Sequence, residues 1–253
     1  MVSSRRKRTG HFEVVEIMMQ DEFLQDLEAF LKEWHNNEPT VWVHTSGSTG
    51  TPKPLQVEKE RMRASARLTC QFLGLKQDDS ALLCMPLQYI AGKMVIVRSI
   101  VAGLRLIPVA PSGHPLKDLK EAPTFAAMIP MQVYNSLQVP EEKHLLKHIK
   151  HLIIGGGAID HSLSVALKEF PNPVWSTYGM TETLSHIALR RLNGEEASDW
   201  YTPFDGVHIR AVFAHFDRDH LKTETLSNGK MAVISGRRDT YSVVMMEPAE
   251  FSG

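Results

Sequence analysis

At 253 residues the chain is long enough for one or two domains with a sizeable core. Its 28 Lys+Arg against 29 Asp+Glu leave a net charge of −1, and 43% of the residues are hydrophobic. That balance excludes wholesale disorder and a coiled-coil rod, and argues against a dedicated nucleic-acid binder, which is markedly basic. Two cysteines, Cys70 and Cys84, make neither a disulfide framework nor a zinc ribbon. They read as small buried hydrophobes in a reducing compartment. The basic cluster Arg5, Arg6, Lys7 and Arg8 is followed by polar and acidic residues rather than an apolar stretch, so it reads as a charged tail and not a secretory signal. The most apolar stretch, Met94 to Val109, is broken by Arg98 and Arg105, so no membrane span is expected. These features together predict a cytoplasmic protein.

Residues 18–35 carry Phe23, Leu27, Phe30, Leu31 and Trp34 at helical spacing. Val41 to His44 reads as a short strand feeding a Gly/Ser/Thr loop. Residues 58–73 read as a second helix with Gly74 as its stop. Alternating units follow: a strand at Ala81 to Met85, a helix from Gly92 to Val101, and strands at Leu104 to Val109, Thr124 to Ile129 (stopped by Pro130) and His151 to Ile154. Asp160 is placed to cap a helix running to Phe170, and Val174 to Thr177 is a further strand. Short apolar strands alternating with helices predict an α/β fold with a largely parallel sheet flanked by helices. After about residue 190, Ile187 to Leu192, Val207 to Phe216 and Met231 to Ser235 read as a smaller, more antiparallel β region, and Thr240 to Gly253 shows no clear period. His144, His148 and His151 fall at helical spacing, but with Lys143, Lys147 and Lys150 among them the better reading is a solvated basic helix, not a metal site.

In a parallel sheet, ligands sit beyond the carboxyl ends of the strands. The loop after the first strand reads Thr45-Ser46-Gly47-Ser48-Thr49-Gly50-Thr51-Pro52-Lys53. Glycines let backbone N–H groups turn toward an anion, the hydroxyls add neutral donors, and Lys53 adds a positive charge, which together suit a polyphosphate. Walker A spacing cannot be laid on it. A second signal, Tyr178-Gly179-Met180-Thr181-Glu182-Thr183, puts an aromatic face and a carboxylate beside hydroxyls at another strand end, where oxygen ligands could hold Mg²⁺. A third, Gly155-Gly156-Gly157-Ala158, would let a flat ligand approach the backbone.

In this order and spacing, and with Gly236-Arg237-Arg238-Asp239 as a fourth, these motifs resemble the successive core motifs of the adenylate-forming superfamily of acyl-CoA synthetases, luciferases and peptide-synthetase adenylation domains. The resemblance covers roughly residues 40–240. Within the superfamily the chain is most similar to the short bacterial o-succinylbenzoate–CoA ligases of menaquinone biosynthesis. The stretch before the phosphate loop is short, Met85 to Lys93 resembles their segment there, and Arg98 falls where that family pairs an arginine with the substrate's second carboxylate. An arginine suits that task because its guanidinium can bind a carboxylate bidentately.

The resemblance implies the large N-terminal domain of the adenylate-forming fold, with a smaller antiparallel β region near the C-terminus. It implies an ATP-dependent carboxylate–CoA ligase that uses ATP, Mg²⁺ and CoA and acts through an acyl-adenylate, with no nucleic-acid partner. Thr45, Ser46, Gly47, Ser48, Thr49, Gly50 and Lys53 would hold the β- and γ-phosphates. Gly155, Gly156, Gly157, Ala158 and Tyr178 would sandwich adenine, with Gly179 and Met180 beside it. Thr181 would contact the α-phosphate, Glu182 would bind Mg²⁺, and Arg237 would reach the ribose. Lys53, Thr181 and Glu182 would be the catalytic set. Tyr89, Ala91, Gly92, Lys93 and Arg98 would meet the acid, and Asp239 would mark the interdomain hinge.

The pattern also breaks in places. Tyr89 stands where the family carries a His, and the ribose-binding Asp is matched only by Asp219 with a two-residue slip. Thr240 to Met246 lacks the family's Gly-Gly, and with the sequence ending at Gly253 the family's roughly 100-residue C-terminal domain and its bridging lysine are expected to be missing. The expected organisation is a flexible tail over 1–17, an α/β nucleotide- and acid-binding core over 18–190, a β-rich subdomain over 191–239, and a tail over 240–253 in place of that domain. Such a chain is expected to bind ATP or an acyl-adenylate and to turn over poorly. Two readings stay open beside the ligase: a non-catalytic nucleotide-binding remnant of the family, and an adenylating ligase for another aryl or acyl acid. Buried cations at Arg98 and Lys93 favour a dicarboxylate over the latter.

Overall fold

The computed structural model describes residues 12–44, 54–179, 181–205, 207, 209–211, 231–237 and 240–246. The chain divides into two units, Met1–Tyr201 and Thr202–Gly253. In the first, helix α1 (Phe12–His35) buries Phe23, Leu27, Phe30 and Trp34, a stripe at the spacing of one helix face. Strands β1 (Thr40–His44) and β2 (Pro54–Glu58) form an antiparallel hairpin in which His44 pairs with Pro54. The segment Thr45–Lys53 that joins them lies outside the described residues. Helix α2 (Lys59–Leu73) buries Met62, Ala66, Thr69, Cys70 and Leu73, and ends at Gly74 in the left-handed conformation (φ 65°), as its sequence predicts.

The alternating part follows as β3 (Ser80–Leu83), α3 (Ile90–Ala102), β4 (Arg105–Pro108), β5 (Phe125–Met128), α4 (Pro130–Gln138), α5 (Pro140–His148), β6 (His151–Ile154), α6 (His161–Leu167), β7 (Val174–Gly179), a single 3₁₀ turn (Thr181–Thr183) and β8 (His186–Arg191). Within this unit the main sheet runs β4-β3-β5-β6-β7-β8. The pairings are parallel except β7 with β8, which is antiparallel. Strands β3 and β5 are buried along their whole length, as expected for parallel strands covered on both faces.

Strand alternation divides the core in two. Ala81, Leu83, Phe125, Ala127 and Ile153 pack with α1, α2 and α3 on one face. Leu82, Cys84, Ala126, Met128, Leu152 and Ile154 pack with α4, α5 and α6 on the other. The chain leaves β3 through α3 on the first face and β5 through α4 on the second. The carboxyl ends of β3 and β5 therefore flank a topological switch point, where such sheets leave a crevice for ligand.

Several elements differ from the sequence reading. Pro130, taken as a strand stop, also occupies the first turn of α4, where its missing N–H costs nothing. His151 begins β6, so only His144 and His148 share a helix; their rings are 4.3 Å apart. Among the described residues no group of three or more His, Cys, Asp or Glu side chains could hold a metal ion. Among them, too, no helix is long and apolar enough to cross a membrane.

The second unit contains a two-residue strand β9 (Thr202–Pro203) and an antiparallel sheet in the order β10-β12-β11, formed by β10 (Ile209–Ala211), β11 (Met231–Arg237) and β12 (Thr240–Met246). Thr240 to Met246, which shows no clear period, is thus a strand paired along its length with β11. The strand read over Val207 to Phe216 is described only at Ile209–Ala211.

The two-sided core predicts that Phe125→Ala, which empties a fully buried position, costs about 3–5 kcal/mol. Urea unfolding reads this directly; a loss near zero would show that the sheet interior is not packed as described.

Candidate active site

A cavity of about 200 Å³ opens at the carboxyl ends of β3, β5, β6 and β7. Met85, Tyr89, Ile90 and Ala91 line it from the segment after β3, Met128 and Ile129 from the end of β5, Gly155 and Gly156 from the turn after β6, and Thr177 and Gly179 from β7. Arg98 of α3, Thr181 and the run Leu184-Ser185-His186 close it. His44 lines it as well, and its backbone N–H donates to the Gln88 carbonyl at 3.2 Å. The Gly/Ser/Thr loop thus begins one residue beyond a residue of the cavity wall.

The glycine turn has a local reason. A Cβ on Gly155 would lie 2.2 Å from Thr177 Oγ1 on the neighbouring strand, and Gly156 has φ +76°. Both positions favour glycine, and the turn they form bares backbone to the cavity. Gly92 is required for packing: a Cβ there would meet the Pro86 carbonyl oxygen at 2.6 Å, so its absence lets the start of α3 close onto the end of β3.

Arg98 dominates the electrostatics. It is 2% exposed, although it lines the cavity. Nη2 donates to Ser185 Oγ at 2.5 Å, and Nε is buried with no hydrogen-bond partner among the described residues. Among the described residues no carboxylate forms an ion pair with it. Burial lowers its pKa to about 10, against a smaller opposing effect of Cys70. A guanidinium without a counter-charge is costly in a protein interior. An anion entering the cavity would relieve that cost.

Ser185 and His186 were not singled out by the sequence. Both fall in the short stretch between β7 and β8, after the Tyr178–Thr183 motif and before the strand read from Ile187. Ser185 Oγ lies 3.4 Å from His186 Nδ1, and His186 Nε2 lies 3.0 Å from Thr69 Oγ1 on α2. Burial, and then the charge of Arg98, hold the His186 pKa well below the usual histidine value.

The remaining expected site residues fall into three groups. Tyr89, Ala91, Arg98, Gly155, Gly156, Gly179 and Thr181 come together around the cavity. Lys93 does not: its ammonium donates to the Trp42 carbonyl, lies 3.9 Å from Glu33 Oε2 and sits 5.1 Å over the Phe30 ring. Five residues along a helix amount to about 140° of rotation, so Lys93 and Arg98 point apart. Tyr178 alternates to the other face of β7, with its ring 5.7 Å from Tyr201, while Gly157 and Ala158 are exposed on the turn. Thr45, Ser46, Gly47, Ser48, Thr49, Gly50, Lys53, Met180, Asp219 and Asp239 lie outside the described residues. The same holds for the side chains of Glu182 and Arg237, whose backbones belong to the 3₁₀ turn and to β11.

His186 supplies a pH prediction. Its folded-state pKa is depressed, so below about 6.5 the unfolded chain binds the extra proton and stability falls as the pH drops. His151, also lowered chiefly by burial, acts in the same direction. The melting temperature should decline between about pH 7 and 5, and His186→Gln should flatten that decline. An unchanged slope would contradict the burial of a neutral imidazole.

The family model described as AMP-binding enzyme matches residues 7–212. The 2-succinylbenzoate–CoA ligase of Bacillus mycoides is 31% identical over 164 residues, covering 63% of this chain and 34% of that protein. The ligase of the same name from Enterococcus faecalis is 32% identical over 148 residues, covering 57% of this chain and 30% of that protein. The chain therefore spans about a third of the length of these curated relatives. Among solved structures, an acyl-CoA synthetase (AMP-forming)/AMP-acid ligase II-like protein from Dyadobacter fermentans aligns with a TM-score of 0.73 at 28% identity, over 96% of this chain and 67% of that one. The o-succinylbenzoate coenzyme A synthetase of Bacillus subtilis, solved with ATP and magnesium ion, shares the fold with a TM-score of 0.54 at 24% identity, over 76% of this chain and 40% of that one. With most of its length matched by the family model, and with the glycine turn, Thr181 and Arg98 gathered at the strand ends, the chain belongs to the AMP-binding enzyme family.

Proposed function

We propose that the chain carries the acid- and nucleotide-binding site of an AMP-forming carboxylate–CoA ligase whose acid bears a second carboxylate, of the o-succinylbenzoate type. The observation that carries this reading is Arg98, a buried guanidinium facing the cavity with its Nε unpartnered and no acid beside it among the described residues. A monocarboxylate pocket gains nothing from such a charge, whereas a distal carboxylate can accept two parallel hydrogen bonds from it. The 2-succinylbenzoate–CoA ligases among its relatives support the same choice.

In the reaction so proposed, the reacting carboxylate oxygen attacks the α-phosphorus of ATP, and the bond to the β-phosphate oxygen breaks to release pyrophosphate. The CoA thiol then attacks the acyl carbonyl, loses its proton, and AMP departs with the carbonyl–oxygen bond cleaved. The residues contribute by positioning and by neutralising charge. Arg98 anchors the far end of the acid so that its reacting carboxylate is held at the strand ends. The bare backbone of Gly155 and Gly156 admits a flat group, and Thr181, buried at the cavity, offers a hydroxyl toward the α-phosphate. Thr45, Ser46, Gly47, Ser48, Thr49, Gly50 and Lys53 would hold the outer phosphates, and Arg237 the ribose. Mg²⁺ would offset phosphate charge when bound, and Glu182 supplies the hard oxygen donor suited to it.

The test compares binding of two non-hydrolysable acyl-adenylate mimics, one o-succinylbenzoyl and one benzoyl, by thermal shift and calorimetry. The native chain should bind the first more tightly. Arg98→Ala should weaken only that mimic, by about 2–5 kcal/mol, because the far carboxylate is then buried without a partner. Equal affinity of the unaltered chain for the two mimics would contradict the dicarboxylate reading.

A further inference from the structure

Beside Arg98 runs a short polar chain whose two outer hydrogen bonds have a fixed direction. Thr69 Oγ1 donates to the Ser65 carbonyl at 3.2 Å, an atom that can only accept. The Thr69 oxygen is therefore an acceptor for His186, 3.0 Å away, which assigns the proton of the imidazole to Nε2. In the neutral ring that burial favours, Nδ1 is then a lone pair, and it faces Ser185 Oγ at 3.4 Å. At the other end, Arg98 can only donate, so the Ser185 oxygen accepts from Nη2 and its own proton is available to donate to Nδ1.

We propose that His186 is a positioning residue for the distal-acid subsite: held by Thr69, its uncharged imidazole orients the Ser185 hydroxyl, which in turn fixes the Arg98 guanidinium for a carboxylate. This inference rests on the reading of the cavity as an acid-binding site. The three links come from separate elements. Thr69 is on α2, Arg98 on α3, and Ser185 and His186 stand where the chain turns from the 3₁₀ segment into β8. Arg98, Ser185 and His186 all line the cavity, while Thr69 is fully buried behind them. The Thr183 hydroxyl donates to the Ser185 carbonyl at 2.6 Å, which also fixes the backbone that carries Ser185.

The arrangement assigns a charge as well as a geometry. A protonated imidazole would set a second cation beside Arg98 and turn an N–H toward a serine oxygen already bonded to the guanidinium. With His186 neutral, these groups offer the ligand one positive charge, which suits a single carboxylate. The selectivity of the site should thus depend on residues that do not touch the reacting atoms.

The test uses the full chain and the same pair of mimics, o-succinylbenzoyl-adenylate and benzoyl-adenylate. Thr69→Val keeps shape and removes the acceptor for Nε2. His186→Leu removes the imidazole. His186→Asn retains an amide oxygen near the Nδ1 position. Thr69→Val and His186→Leu should each weaken the o-succinylbenzoyl mimic about tenfold and leave the benzoyl mimic within about twofold, whereas His186→Asn, which keeps an acceptor toward Ser185 but not the link to Thr69, should retain more of the preference than His186→Leu. A merely structural role would weaken both mimics together, and that result overturns the proposal. So does a preference that persists unchanged in Thr69→Val and His186→Leu. Absence of any preference in the unaltered chain would instead overturn the acid-site reading, and it is seen before any variant is made.

Discussion

A buried guanidinium with no carboxylate paired to it among the described residues is the constraint around which this site is arranged. In water such a group is fully solvated. At Arg98 it has a hydrogen bond to a serine hydroxyl, an Nε without a partner among the described residues and a pKa lowered to about 10 by burial. Folding alone gives no reason to place a charge there, because an apolar side chain of similar length could be buried at that position at lower cost. On the proposed reading, the charge serves an anion that enters from outside.

The fold brings that charge to the right place through ordinary packing rules. Parallel strands buried on both faces put all their carboxyl ends at one edge, and the chain's departure from β3 and β5 to opposite faces opens that edge. α3 must then lie against β3, which it does because Gly92 lets it approach the Pro86 carbonyl closely. The glycine turn after β6 and the 3₁₀ segment after β7 complete the wall. A proposed acid subsite and a proposed nucleotide subsite thus share one crevice, which is what a reaction joining a carboxylate to a phosphate requires.

Much of this was legible in the sequence, for identifiable reasons. The helix stop at Gly74, the cap at Asp160 (whose side chain accepts from the Leu163 N–H at 2.8 Å) and the buried strands each follow from a local rule. Arg98 was legible through the family resemblance, which carries an arginine at that position. Lys93 was grouped with it although the rotation of a helix separates the two, a check that sequence alone permits. Strand β2 carries a single buried residue, Val57, and so shows no apolar pattern to read. Ser185 and His186 could not be found by periodicity, since their importance comes from Thr69 more than a hundred positions earlier. Long-range polar pairs of this kind leave no local signature.

The central claim is that Arg98 serves a ligand and not the fold. The most direct measurement is the melting temperature of Arg98→Met in the absence of ligand. If the guanidinium is an uncompensated buried charge, an apolar side chain of similar length should leave the protein as stable or more so, by up to about 1–4 kcal/mol. The excess upward shift that the o-succinylbenzoyl mimic gives the unaltered chain over the benzoyl mimic should disappear in this variant. A marked fall in melting temperature on Arg98→Met would show that the arginine holds the structure together, and would contradict the account.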